Sequence, residues 1–173
     1  VRDITSSELL FTDSGFSTPG LAPAARYKLY KTTLHGGHHV GGIFHGVYRR
    51  RALAKLMPMP KIIGADNLVM AGLALAGDLV TVPQPWLVKQ WGGGSLSHRK
   101  NARTISLENP WLIRFPYLVR EFYFQQLIRK SDQLDAGGKL GLRLWSWGHY
   151  VRLVLRLCAG QCYGLLPKTL KRL

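Results

Sequence analysis

The sequence is short of acidic residues, of cysteine and of long apolar runs. Its 173 residues include 24 Lys and Arg but only 9 Asp and Glu, so its formal net charge is +15. Cys158 and Cys162 are too few for a disulfide framework or a four-cysteine zinc ribbon, and they favour a reducing compartment. No uncharged apolar stretch reaches the roughly 18 residues that indicate a membrane-spanning helix. We therefore expect a cytoplasmic protein, with peripheral contact to the inner face of a membrane as an option.

The residues that are present suit a folded, basic protein. Hydrophobic residues make up 46% of the chain, which excludes a wholly disordered tail, and the length is that of one domain. The charge is uneven, because residues 1–97 carry 10 basic and 5 acidic side chains whereas residues 98–173 carry 14 and 4. The second region therefore favours an anionic partner, which means a phosphate, a nucleic acid or a lipid surface.

Helix and strand signals alternate in the first region and give way to helices in the second. Helices are predicted from Ala24 to Leu34, over 49–56, from Asn67 to Ala76, from Pro116 to Lys130 and from Lys139 to Ala159. Strands are predicted over 43–48, 78–82 and 86–91, where apolar runs are bounded by Pro and Gly. This order indicates part of an α/β layer.

Six short motifs follow one another through the middle of the chain. They are Gly46-Val47-Tyr48-Arg49-Arg50, Arg51-Ala52-Leu53, Gly64-Ala65-Asp66, Leu73-Ala74-Leu75-Ala76-Gly77, Val82-Pro83 and Gly94-Ser95. In this order and spacing they resemble the second half of the catalytic domain of family 2 glycosyltransferases, which has the GT-A fold. The resemblance covers residues 44–97.

The resemblance implies an α/β fold, a partial GT-A-type mixed sheet, with residues 1–97 as the acceptor-side part of the catalytic domain. Residues 98–173 would follow as a basic amphipathic helical extension. The family's Asp-x-Asp turn is absent from this sequence, so we expect a C-terminal fragment that is inactive alone. For the complete enzyme, the resemblance implies a nucleotide-sugar donor and a glycan or lipid-linked acceptor. It also implies a divalent cation, Mg²⁺ or Mn²⁺, with ligands mostly outside this chain.

By the same resemblance, Asp66 is the candidate catalytic base. An inverting transferase needs a carboxylate within hydrogen-bond reach of the acceptor hydroxyl, to take its proton as the oxygen attacks the anomeric carbon. An Asp before an apolar helix is also a common N-cap, worth about 1 kcal/mol, and the two roles are compatible. Many members of the family have Glu directly before this Asp, where this chain has Ala65.

Five further residues are candidates for contacts to the acceptor or the diphosphate: His45, Arg49, Lys89, Gln90 and Trp91. Four of them have a structural alternative: His45 could face the core, and Arg49 could belong to a solvated helix start. Lys89 could be an exposed lysine at a strand edge, and Trp91 could pack in the core. A metal site of His35 with His38 or His39 is not favoured, because Gly36 and Gly37 interrupt the helix that would align them.

The last predicted helix carries its polar side chains along one stripe, made of Lys139, Arg143, Ser146, His149, Arg152 and Arg156. The candidate membrane-surface residues are Lys139, Arg143, Arg152, Arg156, Trp145 and Trp147, because a basic amphipathic helix with Trp is typical of segments that lie on anionic lipid. Packing against the catalytic domain or a second subunit is the alternative. A basic membrane-surface or nucleic-acid-binding module without catalysis is the alternative function. Nucleic acid is the less favoured partner, because zinc spacing and an RNP-like aromatic strand are absent.

Overall fold

The structure, a computed structural model, describes residues 2–3, 16–35, 44, 46–82, 90–91 and 114–165. In these ranges the chain forms helices and two short strands. The helices are α1 (Pro23–His35), α2 (Arg50–Ala54), α3 (Ala65–Ala76), α4 (Pro116–Lys130) and α5 (Ala136–Leu165), and the strands are β1 (Arg2–Asp3) and β2 (Gln90–Trp91). The strands pair in parallel, with Arg2 opposite Gln90 and Asp3 opposite Trp91.

The predicted α/β fold with a GT-A-type mixed sheet is wrong for the part of the chain that the structure describes. That part is helical, and its β-structure is confined to the two-residue pairing. The buried core lies where α1, α3, α4 and α5 pack on one another, so the architecture is helix on helix.

Threonine side chains explain why the predicted strand over 78–82 does not enter a sheet. The segment runs beside residues 16–18, and the amide of Thr18 donates to the carbonyl of Leu79 at 2.8 Å. The other links use hydroxyls, because the amide of Leu79 donates to Oγ1 of Thr18 at 2.9 Å and the amide of Phe16 donates to Oγ1 of Thr81 at 2.7 Å. Since side-chain oxygens replace backbone carbonyls as acceptors, a regular ladder does not form.

The side chain of Tyr48 hydrogen-bonds to the backbone of the segment predicted as a strand over 43–48. Residues 44 and 46–48 are described there, and they are irregular. Oη of Tyr48 donates to the carbonyl of Phe44 at 2.6 Å and accepts from the amide of Gly46 at 3.3 Å. The phenol thereby takes backbone groups that a neighbouring strand would need.

α3 is the centre of the core because it is apolar on most of its circumference. Eight of its residues, from Leu68 to Leu75, are buried. Its last carbonyls are covered by the buried Arg26 of α1, whose Nε donates to Ala74 at 2.7 Å and whose Nη2 donates to Leu75 at 3.2 Å. These bonds satisfy carbonyls that the end of an α-helix leaves open, and they fix α1 against α3.

α4 and α5 complete the core from the C-terminal part of the sequence. The rings of Tyr27 and Phe124 meet edge to face with their centroids 6.1 Å apart, and Ile128 and Leu142 belong to the same buried cluster. Residues from both predicted regions, 1–97 and 98–173, therefore line one core.

The predicted helices are confirmed, although the bounds of three differ: α2 is shorter than 49–56, α3 begins two residues before Asn67, and α5 extends beyond both Lys139 and Ala159. α1 and α4 begin at Pro23 and Pro116, the prolines that predict them. α5 begins before Lys139, because Oδ1 of Asp135 accepts from the amide of Gly138 at 2.7 Å and so caps the helix three residues earlier.

Candidate functional site

The predicted base lies in a sharp turn that leads into the most buried helix. Gly64 has φ 79° and ψ 31°, the left-handed conformation, and holds the N-cap position of α3. Its carbonyl accepts from the amide of Asn67 at 3.1 Å. Asp66 is therefore in the first turn of α3, and its interpretation as the N-cap is wrong. In the first turn a carboxylate still gains about 0.3–1 kcal/mol from the positive end of the helix macrodipole.

Side chains from three helices converge on this turn. Tyr30 of α1 is fully buried and donates from Oη to Oδ1 of Asn67 at 3.2 Å. The buried Arg120 of α4 brings its guanidinium so close that a Cβ at position 64 would lie 2.9 Å from Nη1. Asp66 is half-buried in the same turn and interacts electrostatically with Tyr30 and Arg120. The turn thus combines a carboxylate, a phenol, an amide and a cation.

The protonation states at the turn follow from burial. Burial raises the pKa of Tyr30 well above its usual range, and the charge of Asp66 adds to the rise. Burial also lowers the pKa of Arg120, whereas nearby Tyr117, Tyr30, Asp66 and Glu121 act in the opposite direction. Near neutral pH, the turn therefore holds a neutral phenol and a charged guanidinium.

We expect Gly64→Ala to destabilise the protein more than Gly20→Ala does. Both glycines have left-handed backbone, with φ of 79° and 77°, so each alanine costs about 1–2 kcal/mol in backbone strain. Nothing lies within 4 Å of a Cβ added at Gly20, but at Gly64 the guanidinium of Arg120 must shift. That shift adds about 1 kcal/mol. Urea unfolding curves of the two variants measure the difference, and equal losses would contradict the close approach of Arg120 to the turn.

The other predicted contact residues lie only partly within the described part of the chain. Arg49 is exposed and directly precedes α2, as a solvated helix start requires. Gln90 and Trp91 form β2, and only their backbone pairing is described. His45 and Lys89 lie outside the described residues.

The described residues do not form a metal site. Among them, no three His, Cys, Asp or Glu side chains lie close enough together to hold an ion. The side chain of His35, and all of His38 and His39, lie outside the described part. The groups at the turn do not suit a hard divalent cation, which prefers several carboxylate and carbonyl oxygens. We therefore assign none of these residues to the Mg²⁺ or Mn²⁺ that the resemblance implies.

A second polar cluster is enclosed in the core and joins α1, α4 and α5. Nζ of Lys31 donates to Oε2 of Glu121 at 2.5 Å and hydrogen-bonds to Oγ of Ser146, which donates to Oε1 of Glu121 at 2.6 Å. Gln125 donates to the same Oε1 at 2.9 Å, and the hydroxyl of Tyr27 lies 3.2 Å from Oγ of Ser146. We name these five residues the buried polar cluster.

The buried polar cluster is structural rather than catalytic. A lysine beside a serine hydroxyl is a pairing that can activate a nucleophile. However, the side chains of Lys31 and Glu121 are 1% and 2% exposed and Ser146 is fully buried, so a substrate has no access. Burial lowers the pKa of Lys31, and the carboxylate of Glu121 opposes that effect.

α5 turns part of its predicted polar stripe toward the protein. Ser146 is buried, and His149 is half-buried and stacks on Trp145 with ring centroids 5.2 Å apart. Trp145 also meets Tyr27 edge to face at 6.5 Å. Trp145 therefore packs on the core and is not placed for the membrane contact that its sequence context suggested.

The remaining predicted surface residues of α5 differ in exposure, and Nε of Arg143 donates to Oε1 of Gln125 at 3.2 Å. Arg143, Arg152 and Arg156 are exposed, and Lys139 is half-buried. Trp147 is half-buried and meets the ring of Phe122 edge to face at 5.6 Å.

No family model, curated protein or solved structure matches this chain. The family suggested by the motifs is therefore not shown by comparison. The order of the motifs and the geometry of the turn at residues 64–66 are the features that bear on function.

Sequence reasoning missed the partners of the turn and the buried polar cluster. Tyr30 and Arg120 lie far from Asp66 in sequence, and no local pattern links them to it. A weak signal existed for Glu121 and Gln125, because they share a helix stripe with the apolar Phe124. Polar residues on the apolar stripe of a helix indicate a buried hydrogen-bonded group.

Proposed function

We propose that this chain is the acceptor-side part of a nucleotide-sugar-dependent glycosyltransferase that serves the synthesis of a cell-surface glycan or polysaccharide. The observation that carries the proposal is the turn at residues 64–66. It holds a carboxylate in the first turn of a buried helix, in a turn where the Tyr30 phenol bonds to Asn67 and the Arg120 guanidinium approaches Gly64. The order of the motifs through residues 44–97, of which this turn is one, also supports the proposal. A helical fold is compatible with this proposal, since function depends on the site rather than on the fold alone.

In the proposed reaction, Asp66 acts as general base. One of its carboxylate oxygens takes the proton of the acceptor hydroxyl while the hydroxyl oxygen bonds to the anomeric carbon of the sugar. The bond between that carbon and the diphosphate oxygen breaks, and its electron pair leaves with the nucleoside diphosphate. Because attack comes from the face opposite the leaving group, the configuration inverts. Tyr30 and Arg120 hold the turn so that the carboxylate keeps its position.

The stereochemistry of the product tests this mechanism. We expect the full-length gene product that contains residues 1–173 to release nucleoside diphosphate from one member of a panel of UDP-, GDP- and dTDP-sugars. The release should depend on an added lipid and glycan extract of the source cells. The anomeric proton coupling of the product, measured by NMR, should show inversion relative to the donor. A retained configuration would contradict the role of Asp66 as a base, and release without acceptor would indicate hydrolysis.

A further inference from the structure

We infer that the accessible face of α5 docks on an anionic lipid bilayer, with the helix lying in the plane of the surface. This interaction is separate from sugar transfer and needs neither Asp66 nor a donor.

The accessible face of α5 has an apolar row that the core does not cover. Leu140, Leu144, Val151 and Leu155 are 59%, 65%, 50% and 63% exposed. Their spacings of four, seven and four residues place them on one side of the helix. Trp147 lies on the same side of the helix, and its ring meets that of Phe122 from α4. Phe122 is itself 52% exposed. We name Leu140, Leu144, Val151 and Leu155 the outer row.

Basic residues flank the outer row, and α5 contains no acidic residue. Arg143 and Arg152 are exposed, and their positions on the helix lie on either side of the row. Arg156 is exposed toward the C-terminal end of the helix. A helix with an apolar stripe, Trp and flanking cations matches the interface of anionic lipid, where apolar groups enter the acyl boundary and cations meet headgroup phosphates.

The same features argue against the other partners. A second copy of the chain would bring two sets of arginines together on opposed faces, and like charges at an interface repel. The phosphates of a nucleic acid would pair with the arginines. However, the leucines and valine at the centre of the face have no group that hydrogen-bonds to a phosphate or a base edge. An in-plane position also agrees with helix composition, because none of the described helices combines the length and apolarity needed to cross a bilayer.

Vesicle flotation tests the inference. The protein is mixed with vesicles of pure phosphatidylcholine or of equimolar phosphatidylcholine and phosphatidylglycerol, at low and high NaCl. We expect the protein to float only with the vesicles that contain phosphatidylglycerol. The floating fraction should be smaller at high salt, because salt screens exposed charges. Arg143→Gln with Arg152→Gln should lower the partition coefficient by about 25-fold, since each basic residue contributes about fivefold. Leu144→Ser with Leu155→Ser should lower the partition coefficient by about tenfold or more, because two leucine side chains that the bilayer buries are lost.

Matched variants control for general effects of charge and apolarity. Val47→Ser removes a fully exposed apolar side chain outside α5, and Lys61→Gln removes an exposed cation outside α5. Both should float as the parent does. If Leu144→Ser with Leu155→Ser unfolds the chain, Leu140→Ser with Val151→Ser tests the same outer row, and far-UV circular dichroism verifies the fold of each.

Several outcomes would overturn the inference. They are equal flotation with both vesicle types, flotation that the α5 variants do not change, and retention on single-stranded RNA without flotation. A dimer that light scattering detects without lipid, and that the outer-row variant converts to monomer, would assign the face to a second copy. Flotation is independent of turnover, so a failure here leaves the transferase proposal standing, and the reverse holds as well.

Discussion

Asp66→Asn should lower kcat of the full-length gene product by about 10²–10⁴-fold, the usual contribution of a positioned general base. The amide has the size of the carboxylate but does not accept a proton near neutral pH. Because Asp66 is in the first turn of α3, the variant should lose only about 0.5 kcal/mol of stability, through the macrodipole. Initial rates of nucleoside diphosphate release, together with urea unfolding curves, measure the two effects separately.

Asp78→Asn is the matched control for this experiment. Asp78 lies just after the same helix, where it pairs with Arg26 at 3.3 Å, and its side chain is 44% exposed. Its replacement should leave kcat unchanged. Normal turnover by Asp66→Asn would remove the proposed role, and equal losses from both variants would show that rate follows the integrity of α3 rather than the carboxylate.

Lys31→Met should destabilise the folded protein by about 3–5 kcal/mol, because it leaves the carboxylate of Glu121 buried without its cation. Adding Glu121→Leu to Lys31→Met should recover much of this loss, since the second substitution removes the uncompensated charge. The hydrogen bonds of Ser146 and Gln125 to Glu121 are also lost in the double variant, so recovery is incomplete. Urea unfolding of the two single variants and the double variant gives the coupling energy directly.

The ion pair of Lys55 with Asp132 is the control for this cycle. It has a similar separation, 2.8 Å, but its side chains are 67% and 65% exposed. Solvent screens such pairs, so Lys55→Met should leave the unfolding midpoint near that of the parent. If Lys31→Met shifts the midpoint no more than Lys55→Met does, the buried polar cluster does not hold α1 against α4 and α5.

Helix positions could be predicted from the sequence because their signals are local. Pro23 and Pro116 pre-set the backbone of a first turn, and Gly77 ends α3, so α1, α3 and α4 have bounds close to those predicted. The Gly64-Ala65-Asp66 turn is local as well, although its cap is Gly64 rather than the aspartate.

The failed strands show what local patterns do not contain. An apolar run such as 78–82 fits an extended segment, but a sheet needs a partner with free backbone groups. The hydroxyls of Thr18 and Thr81 take those places in this chain. The identity of the neighbour therefore decided between a strand and an irregular extended segment.

By itself, the sequence determined the helices, the basic charge and the presence of a carboxylate at the start of an apolar helix. Only the tertiary structure decided that Tyr30 and Arg120 meet at the turn that holds this carboxylate, and that Lys31 and Glu121 are buried together. It also decided that Ser146 faces inward while the outer row of α5 is exposed. Periodicity groups residues on one face of a helix. Which face is buried depends on the partners that the other helices supply, and these partners lie far away along the chain.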